Sequence, residues 1–285
     1  MKRLLVTGSV VVVAGILYSS VALAETPEWR AWPLGQRLSL GVSAFWPKID
    51  TKVSLTGSEN VIEGSIDFER DLGLKDTKST PVGELKWRIS KRNKFRFDYF
   101  DLSRSGQGNS KVLITINSPD GGPSVAIPID TNVQSYVDIK VYNFGYEFSP
   151  VFNEKMDWSL GLGISWQDIA LGIKDLESPD IEGDTKVAAP LPTFSTSFSY
   201  AINDKWLIDL GLGWLDLELD LDNSGKFEGK IIRFNAGVRW QTWENVGFML
   251  AYRSFDVDVN ARDSDFNGKL DYSYKGPSFG INAYF

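Results

Sequence analysis

The sequence predicts an all-β chain, a transmembrane antiparallel up-and-down β-barrel of about ten strands, with eight as the alternative. Three observations carry this. The run Trp206 to Asp222, WLIDLGLGWLDLELDLD, alternates with a period of two, and its even face changes from Trp206, Ile208, Leu210, Leu212 and Trp214 to Asp216, Glu218, Asp220 and Asp222. The odd face changes the other way, from Asp209, Gly211 and Gly213 to Leu215, Leu217, Leu219 and Leu221. A strand half-buried in a soluble core keeps one face apolar throughout, whereas a strand that passes from lipid into water inverts.

The second observation is the leader. Lys2 and Arg3 precede an apolar stretch, and Ala22-Leu23-Ala24 before Glu25 has the small-residue pattern of a signal-peptidase site. Residues 1–24 therefore read as an export signal cleaved at Ala24, with an uncleaved anchor as the alternative, and residues 25–285 as one barrel domain. The third is that no second apolar run follows. If the mature chain spans a membrane it does so with strands, and these must close, because an open sheet edge in lipid leaves backbone groups unpaired. Loss of Lys2 and Arg3 with the leader leaves 28 basic against 37 acidic side chains, a formal charge of −9 with no basic nucleic-acid patch. No Cys offers a disulfide framework.

Taken in order, the first strand sets Leu38, Leu40, Val42, Ala44 and Trp46 outward and inverts past Pro47. A loop to about Ser79 follows, in which the pattern of Ile66 to Asp76 fits neither strand nor helix. The second strand faces Glu84, Lys86 and Arg88 inward against Leu85 and Trp87. The third sets Phe95, Phe97 and Tyr99 outward, with Arg96 and Asp98 and then Phe100 and Leu102 inward. Val112, Ile114 and Ile116 keep the inward parity, Pro119 to Pro123 supplies a turn, and Val125, Ile127 and Ile129 descend. This predicts a tall hairpin above the membrane. The fourth strand brings Val137 and Ile139 inward above Glu147, and the fifth, Trp158 to Trp166, brings in Ile169 and Leu171. Its two Trp, like Trp206 and Trp214, are eight residues apart, about 20 Å of bilayer at the usual rise and tilt. Strands six to ten run near Val187–Ile202, Trp206–Asp222, Ile232–Trp240, Phe248–Val259 and Tyr272–Phe285.

The tail sets Phe279, Ile281, Ala283 and Phe285 outward against Ser278, Gly280 and Asn282. It resembles the C-terminal insertion signal of Gram-negative outer-membrane barrels, carried here by Ser278, Gly280, Ala283 and Phe285. With the leader, the whole mature chain looks like a small barrel of the OmpA/OmpW type. The resemblance implies a Gram-negative outer membrane, periplasmic termini, long outer loops, contact with outer-membrane lipid, and the barrel-assembly machinery as a partner during insertion.

Two interior constellations could carry function. The lower lumen collects Glu84, Lys86, Arg88, Arg96, Asp98, Glu147, Asp209, Arg233, Arg239 and Arg253. In so narrow a barrel these are expected to pair into a salt-bridged plug, with an anion-selective pore as the alternative. The upper lumen collects Phe100, Leu102, Val137, Ile139, Ile169, Leu171, Leu215, Leu217, Leu219, Phe255, Val257, Tyr272 and Tyr274, either a packed core or a pocket for an apolar ligand. The absence of His and Cys removes the common nucleophile–base arrangements, and no cofactor or metal is expected. Asp220 to Gly225 and Asp263 to Gly268 resemble the start of a calcium loop but lack its closing Glu, so both read as hairpin turns. The first functional expectation is an outer-membrane barrel that binds or passes a hydrophobic small molecule or lipid, as OmpW-type barrels suggest. The second is a structural or adhesive surface barrel with a closed lumen.

Overall fold

Alternation becomes pleat in the first strand: along Leu38–Phe45 (β1), Leu40 and Val42 are exposed while Ser39 and Ser43 are buried. An exposed apolar face opposite a buried polar one is the arrangement lipid favours. The computed structural model describes residues 28–56, 62–116, 125–178, 180–220, 225–262 and 267–285. The leader with its Ala24 site, the turn at 119–123, most of the two Asp-rich turns and the side chain of Leu219 lie outside the described residues.

The remaining strands are β2 (Lys48–Thr56), β3 (Ile62–Asp67), β4 (Thr80–Arg88), β5 (Asn93–Asn109), β6 (Ile114–Ile116), β7 (Val125–Ile127), β8 (Asn132–Phe152), β9 (Met156–Asp175), β10 (Glu182–Ala201), β11 (Trp206–Asp220), β12 (Lys226–Gln241), β13 (Val246–Arg262) and β14 (Asn267–Tyr284). Ten of them close an antiparallel barrel in the order β1-β4-β5-β8-β9-β10-β11-β12-β13-β14, with β14 returning to β1. The barrel is thus ten-stranded, not eight-stranded. Both described chain ends and the short turns lie at the lower end.

The outer surface carries the expected aromatic levels. Trp158 and Trp166 are 40% and 45% exposed, Trp206 and Trp214 42% and 41%. Near the lower rim Trp206 stacks on Trp240 with ring centroids 5.7 Å apart, and the row continues through Phe248 to Phe279. Above Leu215 the faces exchange. Asp216, Lys230, Asp258, Asp271 and Lys52 stand in register across five strands on the outside, while Leu215, Ile231, Val257 and Tyr272 are buried one position away.

The upper barrel differs from the expected tall hairpin. β5 ends at Asn109 and β8 begins at Asn132, and the chain between them folds over as the small β6–β7 hairpin, which pairs with β3 through Ile62–Ile116. Ile114 and Ile127 are fully buried in the upper core, and β3 touches β10 on the opposite side of the barrel. The physical cause is apolar burial: an upright hairpin would leave both Ile side chains above the core, whereas the folded hairpin covers the mouth with them.

The segment the pattern left unassigned also resolves. β2 prolongs β1 beyond a bend at Trp46-Pro47, where β14 approaches so closely that a Cβ on Gly276 would lie 2.1 Å from the Trp46 carbonyl. β4 stops at Thr80, so above it β5 has no strand on that side. The gap is filled by one helical turn, Phe68–Asp71 (α1), and the extended run after it. Asp67 caps the turn by accepting from Arg70 N at 2.9 Å. Phe68, Leu72 and Leu74 point into the core at 1%, 0% and 3% exposure. The run presses on β5 at Gly106 and Gly108, where a Cβ would meet backbone at 3.1 and 3.0 Å, and turns through Gly73 at φ +68°.

Candidate functional site

The lumen is layered, and each layer follows from which residues share the inward parity. At the bottom, residues 28–36 fold into the barrel end through a 3-10 turn at Glu28–Ala31. Leu34 is buried with Phe152, Ala201 and Leu207, and Trp29 and Trp32 pack on them. Trp29 meets Phe152 edge-on at 6.0 Å, and the Arg88 guanidinium carbon lies over the Phe152 ring, 4.1 Å from its centroid. Closing this plug requires Gly35, since a Cβ there would stand 1.9 Å from the Trp29 carbonyl oxygen. Sequence reasoning passed over this segment, although Trp29, Trp32 and Leu34 in nine residues ahead of the first strand are a readable signal.

Above the plug lies the charged layer, which gathers all ten residues of the lower-lumen set. Glu147 accepts from Arg96 at 3.4 Å and sits 3.2 Å from Lys94 Nζ. Asp209 holds Arg239, with Nη2 to Oδ1 at 2.8 Å, and also accepts from Ser199 at 2.6 Å. Glu84 Oε1 is 2.9 Å from Arg253 Nη2, a charge contact out of line for a hydrogen bond. Asp98 and Arg233 form a looser pair at 3.8 Å. Arg88, fully buried, pairs with Asp157, which Lys94 Nζ reaches at 2.8 Å. Lys86 has no carboxylate oxygen within 4.0 Å among the described residues. Lys94 and Asp157 were missed because each sits beside a turn. Their parity, shared with Arg96 and with Ser159, is the signal that would have found them.

Two cavities of about 70 and 90 Å³ lie within this charged layer. Phe45, Phe100 and Tyr274 roof it, with Phe100 5.2 Å and Phe45 5.7 Å from the Tyr274 ring. Among the described residues no three His, Cys, Asp or Glu converge as a metal site.

The apolar layer fills the barrel above the roof. Leu102, Val137 and Ile139 are fully buried, and Phe100, Ile169, Leu171, Leu215, Phe255, Val257, Tyr272 and Tyr274 are between 2% and 6% exposed. Leu217 packs against this cluster while partly buried, and Leu219 lies outside the described side chains. Phe68, Leu72, Leu74, Ile114 and Ile127 belong to the same cluster. None of the described cavities is lined by Leu102, Val137, Ile139, Ile169, Leu171, Leu215 or Leu217. Burial pushes the Tyr272 phenol well above its usual range, and its hydroxyl has no hydrogen-bond partner among the described residues. Arg104 and Glu69 are the charged exception, a pair joining β5 to α1 at 2.5 Å.

The tail residues complete the wall. Ser278 is fully buried, Phe285 is 64% exposed, and a Cβ on Gly280 would meet the Val42 carbonyl at 2.5 Å. Leu38 N donates to the Phe285 carbonyl at 2.9 Å, so the last residue helps close the barrel seam.

No protein-family model and no curated protein sequence matches the chain. Among solved structures it is similar to the outer membrane protease OmpT of Escherichia coli, at 10% identity over 87% of this chain and 97% of that one, with a TM-score of 0.54. The transport unit of the autotransporter AIDA-I from Escherichia coli aligns over 93% of this chain and 94% of that one, at 8% identity and a TM-score of 0.37. The attachment invasion locus protein Ail of Yersinia pestis aligns over 87% and 99%, at 6% identity and 0.32. The fold is that of the outer-membrane β-barrels.

Proposed function

We propose that this outer-membrane barrel is a closed surface element, structural or adhesive, that presents its extracellular strands and cap to partners and conducts nothing. The observation that carries this reading is closure in series: the Trp29–Leu34 plug, the paired charges above it, and an apolar core in which Leu72, Leu102, Ile114, Ile127 and Ile139 have no exposure. A conduit for a hydrophobic molecule needs an empty apolar passage, and here the apolar residues contact one another. Outside, Lys226 with Glu218 and Glu228, and Lys269 with Asp258 and Asp271, form a solvated charged surface above the membrane. In the same reading the export signal is cut at Ala24, and Ser278, Gly280, Ala283 and Phe285 serve recognition by the assembly machinery.

Planar-bilayer recordings, together with native mass spectrometry of gently extracted protein, test it. The expected result is an electrically silent bilayer and a ligand-free barrel. Stable conductance would overturn closure. A co-purified lipid or apolar molecule, lost on Leu217→Asp, would establish the alternative, binding or passage of a hydrophobic small molecule through the upper lumen.

A further inference from the structure

Among the described residues, seven cationic side chains face the charged layer, Lys86, Arg88, Lys94, Arg96, Arg233, Arg239 and Arg253, against five carboxylates, Glu84, Asp98, Glu147, Asp157 and Asp209. The excess is two positive charges inside a closed barrel. Every carboxylate is engaged, and six of the seven cations are within 4.0 Å of one. The seventh, Lys86, projects into the 90 Å³ cavity with Arg239, Lys94, Arg88 and Asp209 as its charged neighbours. The cavity wall holds four cations, Lys86, Lys94, Arg96 and Arg239, against the carboxylates of Glu84, Asp98 and Asp209, which Arg253, Arg233 and Arg239 already engage. Burying like charges together is costly unless a counter-charge joins them.

A second observation marks the same cavity. Asn282 on β14 is 5% exposed, lines it, and has an Nδ2 with no hydrogen-bond partner among the described residues. Its Oδ1 faces Gly41, where a Cβ would lie 2.5 Å away, so the glycine leaves the amide its place. A buried unpartnered donor and an unpaired ammonium, on the two strands that flank β1 and lining one cavity, call for an acceptor that carries negative charge. Ser39, Ser197 and Ser199 add hydroxyls to the lining, and Asn235 adds an amide whose Oδ1 is also without a partner among the described residues.

We infer that the cavity between Lys86 and Asn282 is a binding site for a small inorganic monovalent anion of the size of chloride. The cavity is too small for an organic acid of substrate size, and its lining is polar enough to replace a hydration shell. The anion would be a structural counter-ion, held by charge and by the two free donors, and it would complete the neutralisation that the five carboxylates leave unfinished. This extends beyond closure: a conducting barrel could hold the same ion, so the two readings fail independently.

The test is thermal unfolding of the full-length barrel in detergent, in sodium chloride against sodium gluconate at matched ionic strength, because gluconate exceeds the cavity. Chloride should raise the wild-type melting temperature saturably, on the order of 3 °C for each tenfold rise above its dissociation constant. Lys86→Gln should abolish that increment. Equal melting in the two salts, or an increment that survives in Lys86→Gln, would overturn the site. Should the variant fail to fold, crystals of the wild type soaked in bromide decide: an anomalous peak within hydrogen-bonding reach of Lys86 Nζ and Asn282 Nδ2 supports the assignment, and its absence from the cavity refutes it.

Discussion

Arg104 on β5 donates to Glu69 of α1 at 2.5 Å, with 2% and 12% of the two side chains exposed. The same guanidinium reaches Thr51 Oγ1 at 2.7 Å and the Lys75 carbonyl at 3.0 Å, while Glu69 also accepts from Thr51 N at 2.8 Å. One ion pair therefore ties β2, α1 and β5 together where no strand ladder joins them. Removing the carboxylate leaves a buried guanidinium without its counter-charge, a loss of about 3–5 kcal/mol at such sites. Glu69→Ala should loosen the 66–78 segment while the barrel below stays closed. Limited trypsin digestion reads this, with new cleavage at Arg70, Lys75 or Lys78. Unchanged protection would mean that apolar packing of Phe68 and Leu72 alone holds the segment.

Asp71 makes the segment sensitive to acid. Its carboxyl is held below the usual carboxylate range, first by the hydrogen bonds from Arg70 and against the opposing effect of burial, and it also accepts from Asp67 N at 3.0 Å. A group whose pKa is lower folded than unfolded adds stability above the unfolded value, here near 3.8, and that stability goes as pH falls through the folded value. Hydrogen exchange across residues 67–74 should therefore accelerate below about pH 4 in the wild type. In Asp71→Asn the exchange should already be faster at neutral pH and show a flatter acid dependence. A wild-type profile without an acid limb would remove Asp71 as the cause.

The plug can be dislodged without touching a charge. Gly35 N donates to the Trp32 carbonyl at 2.8 Å, and its Cα faces the Trp29 carbonyl with no space for a side chain. Gly35→Val should cost about 1–3 kcal/mol through overpacking and release Trp29 and Trp32 from Phe152. Acrylamide quenching of tryptophan fluorescence should increase. Bilayer recordings should nevertheless stay silent, because the upper apolar layer is an independent seal. A leak on this one substitution would show that the plug is the sole barrier.

The parts of this architecture legible in the sequence are those where a strand meets a solvent boundary. The exchange of faces at Trp214 and Leu215 needs only the period of two, and it predicts the inward parity that the ten charges and, Leu219 aside, the apolar residues above them share in the barrel. The segments that cross the barrel instead of climbing it were not legible. Residues 66–76 mix one capped turn with an extended run, so Phe68, Leu72 and Leu74 share a face at neither a helical nor a strand spacing. The β6–β7 hairpin keeps strand periodicity whether it stands upright or folds over, and only contact of Ile114 and Ile127 with the core, a long-range relation, separates the two. Whether the upper lumen is filled or empty is likewise a matter of volume, on which alternation is silent.

Asp157 offers the clearest separation of pairing from packing in the charged layer. It is 2% exposed, bonded to Arg88 and Lys94, and accepts from Ser159 at 3.1 Å. Asp157→Asn keeps the volume and removes the charge, leaving Arg88, fully buried, with no carboxylate and Lys94 with Glu147 alone. The expected cost is about 3–5 kcal/mol, read as a lower urea midpoint for unfolding in detergent. Because the penalty belongs to the stranded cations and not to a lost attraction, a second substitution that removes one of them should restore stability. Arg88→Met in the Asp157→Asn background should recover a large part of the loss, whereas Arg88→Met alone should destabilise. If the two losses simply add, the pair is uncoupled and the layer is held by strand pairing instead.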